Sequence, residues 1–358
     1  MSAKIKTQNA ILFAAILAVS HGAFAQSTPK ESLLILSKHD HSLAIVDPST
    51  LKVVAKAPVG NDPHEVIAST DGKTAYVSNY GGGAFNTLAV IDLVAQKPLS
   101  QIDLGALRGP HGLDFAGGKV WFTAEEAKAV GSYDPATQKI DWIFGTGQNR
   151  THMIHVSPDA QRIVTTNVSS ATVSIIEKIA VRMSGPQPNQ RQGTNGAPPP
   201  GPPPGSPRPD WNQTLVPVGS GDEGFDISPD NKEIWTANSQ DGTISIINLT
   251  DKKVVQTLDA NVRSANRLKF TPDGKQVFVS MLGSSDVAVL DAATRKEVKR
   301  IAVGRGAAGI LMQPDGSRVF VACTPDNYVV AIDLKTLQIT ARIDGGPNPD
   351  GLAWATQH

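Results

Sequence analysis

Three histidines occupy the same place in three successive copies of one repeat: Asp62-Pro63-His64-Glu65, Gly109-Pro110-His111-Gly112 and Arg150-Thr151-His152-Met153. Imidazole is the commonest nitrogen ligand, and three histidines with one open position are a pattern of catalytic metal centres. The other copies carry Glu223, Asn266, Ala308 and Asp350 at that position. If the copies surround one axis, these seven residues form one ring, in which three imidazoles are flanked by two carboxylates. Such a ring is a candidate metal or anion site.

Strand direction alternates within each copy, so the ends of the second strands share a face with the starts of the inner strands. The second-strand ends read as Lys38, Asn79, Glu125, Asn167, Asn238, Met281 and Cys323. Arg108, Arg263 and Arg305 lie three residues before the inner ring positions. The expected ligand-binding set is therefore His64, His111, His152, Glu223, Asn266, Asp350, Asn79, Glu125, Asn167, Asn238, Arg108, Arg263 and Arg305, with His64, His111 and His152 as the metal ligands. By ligand type, the candidate is one divalent transition metal such as zinc, copper, manganese or iron. Three readings stay open: a metal centre, a metal-free site for an organic ligand or anion, and a hydrated pore. Seven-fold spacing that holds the rings apart, and the lack of an H-x-H or H-E-x-x-H motif, weigh against metal.

The remaining reactive residue types read as structural. His155 is expected to face away from the ring, and His39 and His41 to be solvated loop residues. Cys323, the one cysteine, lies in the β-run Val319-Phe320-Val321-Ala322-Cys323 and reads as a small strand residue. Glu125 and Glu223 could supply acid–base chemistry at a separation the sequence leaves open. There is no G-x-S-x-G, and Gly81-Gly82-Gly83 reads as a hairpin loop, not a phosphate loop. C-x-x-C-H is absent, which excludes covalent haem, and neither haem nor nucleotide is expected.

The elements that must position these residues recur with a period near 43. Asp47, Asp92, Asp134, Glu177, Asn248, Asp291 and Asp333 close equivalent apolar runs, with gaps of 45, 42, 43, 71, 43 and 42. Each copy adds a tight turn such as Pro272-Asp273-Gly274-Lys275, then a β-branched and aromatic run such as Tyr76-Val77-Ser78-Asn79. A period of 40 to 45 without a helical pattern means four short strands per unit. The fold class is all-β, a seven-bladed β-propeller of four antiparallel strands per blade. Residues 350–354 read as the inner strand of the blade whose other three strands open the chain, so one C-terminal strand should pair with residues 33–37 and hide both edges.

The long gap holds an insert, 184–210, with ten prolines. It is expected to be disordered or polyproline II, within blade 4, on the face opposite the histidines. Residues 1–25 read as a signal peptide, with Lys4 and Lys6, an apolar stretch Ala10 to Val19, and Ala23-Phe24-Ala25 before the cleavage point. That apolar stretch is shorter than the roughly 20 residues a span requires, so no membrane span is expected. The mature propeller, 26–358, is expected to be periplasmic or secreted and a monomer. With 33 basic and 33 acidic residues, bulk charge draws in no nucleic acid.

Tyr76-Val77-Ser78-Asn79, with looser copies at Ile234-Trp235-Thr236-Ala237-Asn238 and Val277-Phe278-Val279-Ser280, and the joint Val59-Gly60-Asn61-Asp62-Pro63-His64, resemble the bacterial YVTN-repeat β-propellers. The resemblance covers the mature chain except the proline insert. It implies a seven-bladed propeller, exported and binding or surface-displayed, related to lactonase and streptogramin-lyase propellers. No enzyme's full motif is present, so no catalytic residue is carried over. The expected function is binding of a small molecule or protein at the polar mouth. The alternative is a metal-assisted lactonase- or lyase-type reaction there.

Overall fold

The computed structural model describes residues 27–182 and 207–358. They form seven antiparallel sheets in a ring, a seven-bladed β-propeller of four strands per blade, with the outer strand of one blade broken into Lys97–Pro98 and Ile102–Asp103. Blade 1 joins residues 31–58 to the strand Pro349–Thr356; blades 2 to 7 span residues 63–103, 110–145, 151–217, 222–259, 265–302 and 307–343. The closure has the expected register, with Leu33 opposite Trp354 and Ile35 opposite Leu352. The expected leader lies outside the described residues. So does most of the proline insert, but its last residues correct the expectation: 207–210 belong to the strand Pro207–Pro217, which pairs along its whole length with Thr172–Arg182. Pro207 and Pro209 are tolerated because this is the outermost strand of its blade, where a missing N–H interrupts no ladder. Among the described residues, no helix is long and apolar enough to cross a membrane.

Second and third strands are apolar on both faces because a blade is packed on both sides. In the strands Leu33 to Leu36 and Val287 to Leu290 every residue is buried. The buried apolar side chains fall into seven clusters, one per blade interface; Leu34, Val66, Val77 and Ile91, for example, join blades 1 and 2. Outer strands face a neighbour on one side only, so Lys139–Gly145 alternates exposed and half-buried residues. The recurring aspartate is a turn residue. Asp47, Asp134 and Asp333 accept the N–H of Ser49, Ala136 and Thr336 at 2.7–2.8 Å, which closes the turn into the outer strand.

The inner strands carry the feature that aims the site. In all seven blades the register slips directly after the first residue of the inner strand, a β-bulge that spans the ring position. In four blades a second-strand hydroxyl fills the bulge. Ser78, Thr123, Thr166 and Ser280 accept the N–H of Glu65, Gly112, Met153 and Arg267. Each then donates to the ring carbonyl of the next blade: His111, His152, Glu223 and Ala308. Inner strands approach so closely that a Cβ on Gly112 would meet the His152 carbonyl oxygen at 2.5 Å.

Candidate metal centre at the histidine mouth

His64, His111 and His152 stand on three adjacent blades at one mouth of the tunnel. Their rings touch in series, His64 to His111 at 5.0 Å between centroids and His111 to His152 at 3.8 Å. The seven-fold spacing expected to keep them apart does not, because each ring residue sits in a bulge and leans toward the axis. Tyr80 packs edge-on against His64 and His111, at 4.8 and 5.2 Å.

The three imidazoles have different surroundings. His64 Nε2 lies 2.9 Å from Lys38 Nζ and 3.2 Å from Asp62, with Asp350 3.9 Å from its Nδ1. That pairing, led by the His64 hydrogen bond and with Lys38 adding charge, holds the Asp62 carboxyl down at about 2 against its burial. His152 bonds Glu125 through Nδ1, and both are buried. His111 is buried at 3 % exposure, and its Nδ1 has no hydrogen-bond partner. Burial first, then the neighbouring His152, His64, Arg267 and Arg150 charges, push its pKa well below that of free imidazole, so it is neutral.

Glu125 joins blades 2, 3 and 4. It accepts the Tyr80 hydroxyl at 2.6 Å and the His152 bond, with Arg150 at 3.9 Å. Burial alone would raise its pKa; the bonds from His152 and Tyr80 and the Arg150 charge overcome burial and hold it below the usual carboxylate range. One donor atom each from His111, Glu125 and His152 lie within 4.8 Å of one another. The trio that converges is therefore His111, His152 and Glu125; His64, expected as the third metal ligand, is instead tied to Lys38 and Asp62.

Further round the mouth, Arg150 bonds Glu223 at 2.9 Å, and Asn266 bonds Glu223 at 3.3 Å. Asp350 closes on Lys38 at 3.3 Å. Side chains thus touch around blades 1 to 6, and Ala308 leaves a gap at blade 7.

Three asparagines of the expected set do something else. Asn79, Asn167 and Asn238 are buried and give their amides to the third strand, to Thr87, to Thr172 and Ser174, and to Thr243 and Ser245. The sequence alignment was one residue out of step. Asn79, Asn167, Asn238, Met281 and Cys323 pair with the residue before the ring position, as Ala124 and Ser37 do. Lys38 and Glu125 correspond instead to Tyr80 and Val168, and a one-residue shift sends a strand side chain to the other face. Arg108, Arg263 and Arg305 are exposed and hold neighbouring loops 21 to 24 residues away, through the Ala84 and Gln240 carbonyls and Asp326. His155 turns away from the ring toward Asp114, and His39 and His41 are exposed. Cys323 is buried, and burial raises its thiol to about 12, which makes it inert.

Sequence reading missed Tyr80, Arg150 and the pair Arg267–Glu65. Arg267 and Glu65 occupy one alignment column, directly after the ring position, where the other copies hold Gly112, Met153, Gly224, Gly309 and Gly351. Their bond runs from blade 6 to blade 2, across the axis, and both are largely buried. Opposite charges in a column otherwise uncharged, and glycine in four of its five other places, were the available signal.

Comparison with known proteins places the fold without placing the chain in a family. The Cytochrome D1 heme domain model matches residues 206–316, less than a third of the chain. No curated protein matches the sequence. A functionally unknown protein from Desulfotomaculum acetoxidans superposes with a TM-score of 0.70 at 13 % identity, covering 91 % of this chain and 99 % of that one. A candidate 6-phosphogluconolactonase from Bacteroides fragilis gives 0.66 at 16 % identity, with 92 % and 99 % covered. The dihydro-heme d1 dehydrogenase NirN, in complex with DHE, gives 0.60 at 15 % identity, with 91 % and 75 % covered. The last structure and the family match bring haem in as a candidate, against the expectation of none. The chain is thus a seven-bladed β-propeller similar in fold to lactonase-like and haem d1-related propellers.

Proposed function

We propose that this propeller, exported by its leader, binds a small ligand at the histidine mouth through one divalent transition-metal ion held by His111, His152 and Glu125. The observation that carries this is the buried, unpartnered Nδ1 of a neutral His111 beside the His152–Glu125 pair. A buried nitrogen lone pair without a partner is costly, and an ion supplies the partner. The hydrogen between His152 Nδ1 and Glu125 occupies the place an ion would take, so binding must displace it. Four carboxylates, Asp62, Glu125, Glu223 and Asp350, meet two cations there, Lys38 and Arg150, which favours a cation over an anion. Bound, the ion would supply Lewis acidity toward a ligand oxygen. Tyr80 would hold Glu125 in place, and Arg150 and Lys38 would orient a polar ligand from the rim. The lactonase- or lyase-type reaction is the enzymatic form of this reading.

Haem is the second candidate, favoured by the Cytochrome D1 match. The residues fit it poorly. The matched segment, 206–316, contains no histidine, and all three mouth histidines lie outside it. Three donors within 4.8 Å of one another enclose an ion, not a macrocycle.

Calorimetric titration of residues 26–358 with zinc, copper and manganese tests the proposal. One ion per chain, lost in His111→Ala, is expected. No stoichiometric binding would end it. Haemin added to the same protein should give no His111-dependent Soret shift; such a shift would favour haem.

A further inference from the structure

The Arg267–Glu65 bond crosses the axis and divides the tunnel. On the side away from the histidines lies a cavity of about 350 Å³ to which the inner strands of all seven blades contribute. Its lining is split in two. Blades 7, 1 and 2 present an apolar arc of Leu311, Met312, Leu352, Trp354 and Ile67. Blades 3 to 6 present Asp114, His155, Asp226 and Lys269 in that order, so carboxylates alternate with nitrogen bases from blade to blade.

These four residues form two loose pairs, His155 with Asp114 at 3.5 Å and Lys269 with Asp226 at 3.4 Å. The carboxylates are fixed from behind by the next blade: Asp114 accepts the Val156 N–H at 2.6 Å and Asp226 the Phe270 N–H at 2.9 Å. Their nitrogen partners reach solvent, with side chains 42 % and 38 % exposed. Fixed anions and movable nitrogen partners at the rim can open to admit a ligand carrying both signs. With Glu65 and Arg267 in the floor, the charges of the whole chamber sum to zero or minus one, according to the proton on His155. A net anion gains nothing there, whereas a zwitterion with an apolar body matches both arcs. The volume sits at the lower end of the ~300–1,000 Å³ range of ligand pockets.

We propose that this second chamber binds a small zwitterion with an apolar side chain, of the class of an apolar α-amino acid, with its ammonium toward Asp226 and Asp114 and its carboxylate toward Lys269 and His155. The proposal does not depend on the metal at the opposite mouth.

Calorimetry of residues 26–358 with L-phenylalanine, L-leucine and L-tryptophan tests it, with phenylacetate and phenethylamine as single-charge controls. At least one amino acid should bind saturably, about tenfold or more tighter than either control. Lys269→Met should weaken that binding about tenfold or more without lowering the melting temperature, since the side chain is half-exposed. His111→Ala should leave it unchanged. Absence of saturable binding by all three amino acids, equal binding of a control, or wild-type affinity in Lys269→Met would overturn the assignment.

Discussion

The Tyr80 hydroxyl donates to Glu125 at 2.6 Å, from blade 2 to blade 3, and thereby sets the carboxylate that His152 meets from blade 4. Partners that orient a metal ligand typically contribute ~10–100-fold in affinity. Tyr80→Phe keeps the ring that packs on His64 and His111 and removes only the donor. It should therefore weaken zinc binding about 10- to 100-fold in calorimetry, with little change in melting temperature. Unaltered affinity would show that Tyr80 does not position Glu125.

Acid should destabilise the protein in two steps. His111 is neutral in the fold because burial depresses its pKa, while in the unfolded chain it titrates near ~6.5. Between those values the unfolded state binds the extra proton, so stability rises with pH there and is lost as pH falls below about 6.5. The depressed Glu125 acts lower down: its contribution is present above the ordinary carboxylate range and is lost as pH falls through its folded value. Asp222 acts in the opposite sense over the same range, so the readout is a difference: in thermal melts from pH 7 to pH 5 the wild-type midpoint should fall relative to that of His111→Asn. A variant with the wild-type slope would assign the effect elsewhere.

Asp222 behaves in the opposite sense. It is fully buried in blade 5, accepts the Asn167 N–H at 3.1 Å, and leaves its other oxygen unpaired. Burial pushes its pKa up to about 8, so the folded state holds a proton that the unfolded state has lost above about 4. Its linkage term lowers stability as pH rises from about 4 to about 8. Asp222→Asn keeps the acceptor and removes the titration. It should raise the melting midpoint by a few degrees at pH 8 and less at pH 5; a gain independent of pH would contradict the buried-acid explanation.

Thr123 serves both the Gly112 N–H and the His152 carbonyl, at 2.9 and 2.7 Å, inside the interface of blades 3 and 4. Thr123→Val preserves shape and strands both groups, at about 1–3 kcal/mol each. The midpoint should fall by several degrees, and zinc affinity with it, because the His152 backbone loses its anchor. A stable variant with intact zinc binding would mean that the bulge holds His152 unaided.

The repeat was legible because every blade repeats the same apolar run and the same aspartate turn, and both serve packing common to all seven. The inner ring was legible for a related reason: Pro63, Pro110 and Thr151 mark the strand start that fixes its register. The second strands offered no such mark. Asn79, Asn167 and Asn238 resemble mouth residues in type, yet the correct column was given by the hydroxyls of Ser78, Thr123, Thr166 and Ser280, which place Ala124 and not Glu125 beside Asn79. The Arg267–Glu65 contact lay further out of reach, since it joins residues 202 positions apart that share no blade.

Among the described strands, Pro349–Thr356, which seals blade 1, is made last, and its partner Glu31–Ser37 is made first. During synthesis Glu31–Ser37 must wait with one ladder of hydrogen bonds unmade while every other blade is assembled. An unsealed apolar strand is a site for wrong pairing between chains, so the interval before sealing is when this protein is most exposed to aggregation. Its yield in a cell should therefore track how fast the last residues arrive and how well the waiting strand is shielded, more than it tracks the stability of the finished ring.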